Sequence, residues 1–374
     1  MTVHRLIGSP LAAIIFLVTA GTVSAQTQKE LLDELDRTIE EAESYVSAKE
    51  VRIKTIENTL HSRGVSPERQ YRIYGELFDE YQPFNYGKAV ETLDKQMEIA
   101  MLLGDKSKLN DVYLKEAMLN TAAGEFLEAR NDLARVDTTI FTKEQEIAYC
   151  NVQQRFWFDY DENLKGADKS MLRKVAYYRE RLLALADPSS SMSRYVTVRK
   201  YIDEKYFAQA DFINRHSLSR MDPASHDYAN LAYFQARICE SLNRREEMKN
   251  WFIRSAMADI KTATKDNASL FSLADALFKD GDYARAFKYS SFSLEDAIAF
   301  DAKLRQWQIS AILPAVQKSY TDIQLTHQKK TSNMLVAMYV LVFLHKSADG
   351  KLTAGPIWDF DWGVLSYNAS PQAR

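Results

Sequence analysis

Residues 273–286 read Leu273-Ala274-Asp275-Ala276-Leu277-Phe278-Lys279-Asp280-Gly281-Asp282-Tyr283-Ala284-Arg285-Ala286, and this stretch decides the fold. Leu273, Ala274 and Leu277 recur at the three- and four-residue steps of a helix face. Gly281-Asp282 then supplies a turn, and Tyr283 and Ala286 open a second helix. Small residues at Ala274 and Ala286 let two paired helices approach closely, while the large aromatics beside them fill the remaining space. A second copy runs from Ala117 to Ala129, with Gly124 and Phe126 at the equivalent places. A third carries Asn243 where the others carry glycine, and asparagine also tolerates a left-handed turn.

Outward from this unit a helix face with a small or flexible residue recurs. It appears as Ala89 in AVETLDKQM, Ala129 in GEFLEARNDL, Ala210 in KYFAQADFI, Met248 in NRREEMKNWF and Ala286 in GDYARAFKY. The steps are 40, 81, 38 and 38 residues, so a unit is missing near residue 169, where GADKSMLRKVAYYRERLLAL offers another amphipathic helix. These units resemble tetratricopeptide repeats, in which stacked helix pairs bury a continuous core. A period near 38 rather than the usual 34 or so implies longer helices or loops, and about six pairs fit between Pro67 and Phe300. The expected fold is therefore all-α: a right-handed, tetratricopeptide-like α-solenoid over residues 65–330.

Before the repeats, Leu32, Leu35, Ile39, Ala42, Val46, Lys49, Ile53, Ile56 and Leu60 form a heptad seam broken only by Lys49. This predicts one long N-terminal helix over 26–64, stopped by Gly64. Ser66-Pro67-Glu68 restarts the chain as a cap, a proline at the first helical position and an acid in the first turn. Two uses of the seam stand open, a helix lying on its own domain and a homodimer formed through residues 32–60.

Composition agrees with a helical globular protein. The 374 residues are 46% apolar and 26% charged. They contain only 12 Gly and 8 Pro, about half the usual shares of roughly 7% and 5%, which argues against a turn-rich sandwich or barrel. The net charge of −3 gives no electrostatic reason to expect nucleic acid as a partner. Residues 1–25 have the pattern of a secretory signal peptide: Arg5, an apolar run from Leu11 to Ala20, and small residues at Val23 and Ala25. An exported, periplasmic chain beginning at Gln26 is expected. No cysteine precedes Cys150, so lipid attachment at the cleavage point is not.

Cys150 and Cys239 both sit in apolar helical contexts, the usual setting of a buried free thiol, although an oxidising compartment also allows a disulfide. The six histidines show no ligand-pair spacing. No nucleotide loop, nucleophile elbow or metal-binding helix occurs between residues 26 and 330, and no cofactor is expected. Two aromatic clusters stand out, Phe156-Trp157-Phe158-Asp159-Tyr160 and Tyr177-Tyr178-Arg179-Glu180-Arg181. At helical spacing they suit packing between repeats, and lining a ligand groove is the alternative.

The text from the signal peptide to about Leu313 resembles a Bacteroidetes family with a domain of unknown function. The segments that carry the likeness are KELLDELDRTIEEAESYVSAKEVRIKTIENTL, Gln70 to Phe78, SAMADIKTATKDNASL and RQWQISAILPAVQ. Its members look like periplasmic tetratricopeptide-type sensors that continue through a membrane helix into a cytoplasmic coiled coil. Here the apolar run Met334 to Leu344 spans about 16 Å as a helix, against the roughly 30 Å of a bilayer core. Residues 331–346 are accordingly expected to be a shortened membrane helix or a strand, and membrane association through 334–344 stands open.

Residues 347–374 contain Trp358-Asp359-Phe360-Asp361, which resembles the signature of the CotH kinase family. That resemblance implies a divalent cation on Asp359 and Asp361. The same tail could fold as a short β-hairpin, with Leu341–Lys346 pairing with Lys351–Asp361 across Asp349-Gly350.

The function expected from the whole is an exported, non-enzymatic binding or sensing module, part of a signalling or transcription-regulatory system, that engages a protein or peptide. The alternatives are a CotH-like kinase using Asp359 and Asp361, and a structural scaffold that dimerises through its first helix.

Overall fold

The structure, a computed structural model, describes residues 28–60, 62, 64–164, 169–265, 268–301, 303–346 and 352–354. Two N-terminal helices come first, α1 (28–40) and α2 (Ala42–Leu60). Six helical pairs then occupy Pro67–Phe300. They are α3 (Pro67–Tyr81) with α4 (Tyr86–Leu103), α5 (Lys106–Ala123) with α6 (Phe126–Arg135), and α7 (Lys143–Asn163) with α8 (Lys169–Leu185). The remaining three are α9 (Ser191–Asp203) with α10 (Phe207–Leu218), α11 (His226–Ser241) with α12 (Arg245–Lys261), and α13 (Ser269–Asp280) with α14 (Tyr283–Phe300). A long helix, α15 (Lys303–Phe343), follows. The fold is an all-α, tetratricopeptide-like solenoid.

Five of the six pairs share one recurring position. Ala89, Ala129, Ala210, Met248 and Ala286 are each the fourth residue of the second helix of a pair. The four alanines have no exposed surface at all, and Met248 is also buried. A methyl group there sets how near the two helix axes come, and a larger side chain would force them apart. The missing unit near residue 169 is α8, but its fourth residue is Leu172, which is exposed, and its first buried residue is Val175. This pair therefore shares the helices of the repeat without its small-residue crossing.

The turn inside four of the pairs is built identically, on one left-handed residue. Gly124, Lys205, Asn243 and Gly281 have φ of 86°, 63°, 56° and 86°. In each, the next residue's N–H reaches back to the helix: Glu125 to Asn120 O, Tyr206 to Tyr201 O, Arg244 to Cys239 O and Asp282 to Leu277 O, at 2.8–3.0 Å. Carbonyls that the helix end would leave unpaired are thus satisfied. Lys205 does with a side chain what glycine does without one, at a cost of about 1–2 kcal/mol. Lys205→Gly should raise the melting temperature. Gly281→Ala should lower it by a similar free energy, since a methyl group there meets no atom within 4 Å and only the backbone resists. Unchanged melts for both would mean that these turns are not left-handed.

Asp282, which reads in sequence as an ordinary turn residue, is the cap of α14. Its side chain accepts from the Arg285 N–H at 3.1 Å. Asp282→Ala should cost about 1 kcal/mol. Ala286→Trp, at the crossing itself, should cost about 1–3 kcal/mol or more. Denaturant melts of both variants check this, and a tryptophan variant as stable as the parent would place Ala286 away from the crossing.

The long N-terminal helix expected over 26–64 is two helices that meet at Glu41. The Glu41 carbonyl is taken by both the Ser44 N–H (2.9 Å) and the Ser44 hydroxyl (2.7 Å), and serine back-bonding of this kind bends a helix. The seam is used within the chain: Leu32, Leu35 and Ile53 are buried, and Ile53 packs with Ile73 and Leu77 of α3. Polar contacts fasten α1 to the far end of the array. Asp36 accepts from Arg285 Nε (3.0 Å), Lys288 Nζ (2.9 Å) and the Tyr289 hydroxyl (3.2 Å), and Arg285 also holds Asp33 at 2.7 Å. Burial raises the Asp36 carboxyl, but the Lys288 and Arg285 hydrogen bonds outweigh it and keep the group below its ordinary range. Lys49, the one break in the heptad seam, is buried between Glu80 (3.4 Å) and the Thr262 carbonyl (3.5 Å).

The first and last pairs also touch directly. The Lys265 N–H donates to Pro83 O at 2.7 Å, and the Tyr86 ring meets Phe300 edge-on with centroids 6.4 Å apart. Tyr86 and Phe271 close over a cluster of Ala297, Phe300 and Ile309.

Two compact units divide at Pro314, which lies inside α15. In the second unit α15 runs on to Phe343, and Leu344–Lys346 pairs antiparallel with Leu352–Ala354 in the register Leu344 to Ala354. Leu341, Val342 and Phe343, expected in the hairpin, are the end of the helix. Residues 331–343, expected as a separate short segment, are its last turns. No described helix is long and apolar enough to cross a membrane.

Candidate interaction cleft

The third helical pair carries a cleft between its two helices. Its first helix, α7, begins at a capping box: Thr142 and Gln145 exchange side-chain-to-backbone hydrogen bonds at 3.2 Å each. At 21 residues α7 is twice the length of α6, which has 10. Tyr149, Gln153 and Trp157 fall on one stripe of α7 at four-residue steps. Gln153 joins them, its Nε2 donating to the Tyr149 hydroxyl and its Oε1 accepting from Trp157 Nε1, both at 2.9 Å. The amide therefore ties the two rings together across two turns of the helix.

The opposite wall is α8, where Ser170, Arg173, Lys174, Tyr177 and Tyr178 face the same space. The Lys174 ammonium lies 3.4 Å from the centre of the Trp157 ring, and Tyr178 meets Tyr149 edge-on at 5.9 Å. The Tyr177 hydroxyl accepts from Arg181 at 3.2 Å, and Arg181 in turn pairs with Glu146 of α7. The cleft is open to solvent and has a volume of about 500 Å³, within the range of ligand sites. None of the described residues that line it is acidic.

The two aromatic clusters divide by face. Phe156 is buried and packs with Leu114, Ala117 and Ala129 of the preceding pair, stacking on Tyr160 at 5.8 Å. Phe158 carries the Arg199 guanidinium at 3.8 Å on the side of the following pair. Those rings are inter-repeat packing, whereas Trp157, Tyr177 and Tyr178 line the cleft. Sequence reading singled out the aromatics and missed Gln153, Ser170, Arg173 and Lys174. The available signals were the four-residue stripe on α7 and the charge of α8, which has five basic residues against one acidic.

A second cleft, of about 310 Å³, lies among α4, α5 and α6 and has the opposite character. Glu116, Glu128 and Asp132 line it with Tyr86, Asn120 and Asn131. The Tyr86 hydroxyl donates to Asn120 Oδ1 (2.7 Å), and Asn120 Nδ2 donates to Asp132 (2.8 Å). Arg135, stacked 4.0 Å over Tyr113, stands 3.5 Å from both Glu116 and Asp132. Burial, and after it the Asp132 charge, push the Glu116 carboxyl up to about 7 against the pull of Arg135. A carboxyl whose folded value lies above its unfolded one holds its proton more tightly when folded. Its stabilising contribution is thus complete at acid pH and is lost as pH rises from about 4.5 through about 7. Glu116→Gln should match the parent near pH 4.5 and exceed its stability by about 2–3 kcal/mol at pH 8. Parallel stability curves for the two proteins across that range would refute the shift.

Among the described residues no group of three or more His, Cys, Asp or Glu side chains could hold a metal ion. The acids Asp359 and Asp361, expected by resemblance to hold a cation, lie outside the described residues. Cys150 and Cys239 are free and buried, and burial pushes both thiols up to about 11, so neither is poised as a nucleophile.

A helix-pair array with clefts on its surface defines a class, the tetratricopeptide interaction domains, which typically bind rather than catalyse. Within that class, the family model of the SusR N-terminal TPR domain matches residues 39–311, well over half of the chain. The chain belongs to this family. Among curated proteins none matches it.

Proposed function

We propose that this protein is an exported, non-enzymatic binding or sensing module of a signalling or transcription-regulatory system, which engages a protein or peptide partner through the α7–α8 cleft. The observation that carries the reading is the cleft itself. Its aromatic wall is locked by the Tyr149–Gln153–Trp157 hydrogen bonds and its rim is open, so binding there would not require the site to be ordered first. Membership of a regulator-type repeat family supports the same reading. The signal-peptide pattern of residues 1–25 supports a periplasmic location. Association with the inner membrane is supported by exposed Met334, Leu335, Val336 and Met338 on one short stretch of α15, a length suited to lying in an interface rather than crossing it.

A photo-cross-linking residue in place of Tyr177, which is 58% exposed, tests the partner at its proposed seat in cells. The same residue in place of Leu102, 75% exposed on α4, serves as the control. A discrete cross-linked polypeptide is expected at 177, absent at 102 and lost in Lys174→Glu. Equal labelling at both positions, or none at 177, would overturn the assignment of the cleft.

A further inference from the structure

Three ion pairs gather on the C-terminal half of α8. Arg179 pairs with Asp203 at 2.6 Å, Arg181 with Glu146, and Glu180 with Lys200. Among the described residues no carboxylate is paired with Lys169, Arg173 or Lys174, and Arg173 and Lys174 both face the cleft. In a chain whose net charge is negative, the described lining of the cleft thus sets two cations and no acid beside low-dielectric ring faces, which strengthens its field.

The rings also limit what can enter. Lys174 already covers Trp157, so that face is closed to a neutral ring or sugar stacking on it, and the ammonium above it points a positive charge into the cleft. Tyr177 is the ring left accessible, more than half exposed. The amide of Gln153 is turned to Tyr149 and Trp157 and is itself buried. What the lining offers for recognition is two cations and one open aromatic face.

We propose that the occupant of the α7–α8 cleft is an acidic peptide segment, one of whose carboxylates sits between Arg173 and Lys174 while a neighbouring apolar side chain lies on Tyr177. Arg173 offers a planar fork suited to a carboxylate, and Lys174 offers a point charge beside it. A nucleic acid is the less suitable anion, because two cations in a cleft do not form the extended basic track that a phosphate backbone needs, and the chain is net negative. The proposal rests on the reading of the cleft as a peptide site and adds the charge of the peptide.

The test uses the full mature chain and short synthetic peptides. A Glu-Gly-Glu-Phe-Glu-Gly peptide is titrated by calorimetry and by tryptophan fluorescence, with Trp157→Phe identifying the reporting ring. The same peptide with Gln, and then Lys, in place of Glu gives the comparison. Saturable binding of the acidic peptide alone is expected, weakening as salt rises. Lys174→Glu and the milder Lys174→Gln should each lower affinity, the reversal by about tenfold or more. Lys54→Glu, the same charge change at an exposed lysine of α2, should leave it unchanged. Equal binding of the Gln peptide would overturn the acidic assignment and leave the cleft as a peptide site. Equal loss in Lys54→Glu would reduce the effect to net charge and overturn it as well. Binding by none of the peptides, in a protein whose residue 177 still cross-links a partner, would sink the charge assignment alone. A failure of the cross-link too would sink both.

Discussion

The rest of the structure depends on how closely the two helices of a pair can cross. At Ala89, Ala129, Ala210 and Ala286 a single methyl group stands between one helix and its partner. Fixing that distance fixes which side chains can fill the space around it, because interiors pack at crystal density and a single methylene is felt. The left-handed residue five positions earlier, Gly124, Lys205 and Gly281 for three of these alanines, keeps the turn to the same length each time. In these pairs the second helix therefore starts at the same height against its partner. The crossing and the turn are one device, and the repeat is legible because both halves of it are local in sequence.

What could be read from the chain follows from that locality. The register of the second helices and the number of pairs were both legible, since a small residue at a fixed offset from a turn leaves a periodic trace. Lys205 hid its turn, because nothing in a lysine announces a positive φ that only the surrounding structure enforces. The Leu172 of α8 hid its unit differently, by replacing the small residue while keeping the amphipathic face. The heptad seam of the first helices showed an apolar stripe but could not say what covers it. Contacts with α3, α12 and α14, some more than two hundred residues away, settle that. Adjacent aromatics such as Phe156, Trp157 and Phe158 point to three different environments, and one residue of helical rotation separates packing from lining. Only the neighbouring helices decide between them.

The two clefts show how little a net charge says about local fields. Overall the chain is nearly balanced, yet α8 gathers cations around aromatic rings while the α4–α6 cleft gathers carboxylates with one stacked guanidinium to hold them. In both, an aromatic ring shares the work: Trp157 under Lys174 and Tyr113 under Arg135. A ring beneath a cation keeps a long side chain in place without neutralising it. The clefts thus hold their charge in fixed positions, one positive and one negative, on successive pairs of the same array.

The contact of Pro83 and Tyr86 with Lys265 and Phe300 changes what kind of repeat protein this is. An open array grows or shrinks by whole units, and evolution or a protein engineer can splice one in wherever two neighbours meet. Here the first and last pairs are also neighbours, and α1 is laid across the join. A seventh pair would push Tyr86 out of reach of Phe300, and a loss would leave Asp36 without its Arg285. Inserting or removing a pair would therefore break contacts at both ends of the array, a cost that an open solenoid does not carry.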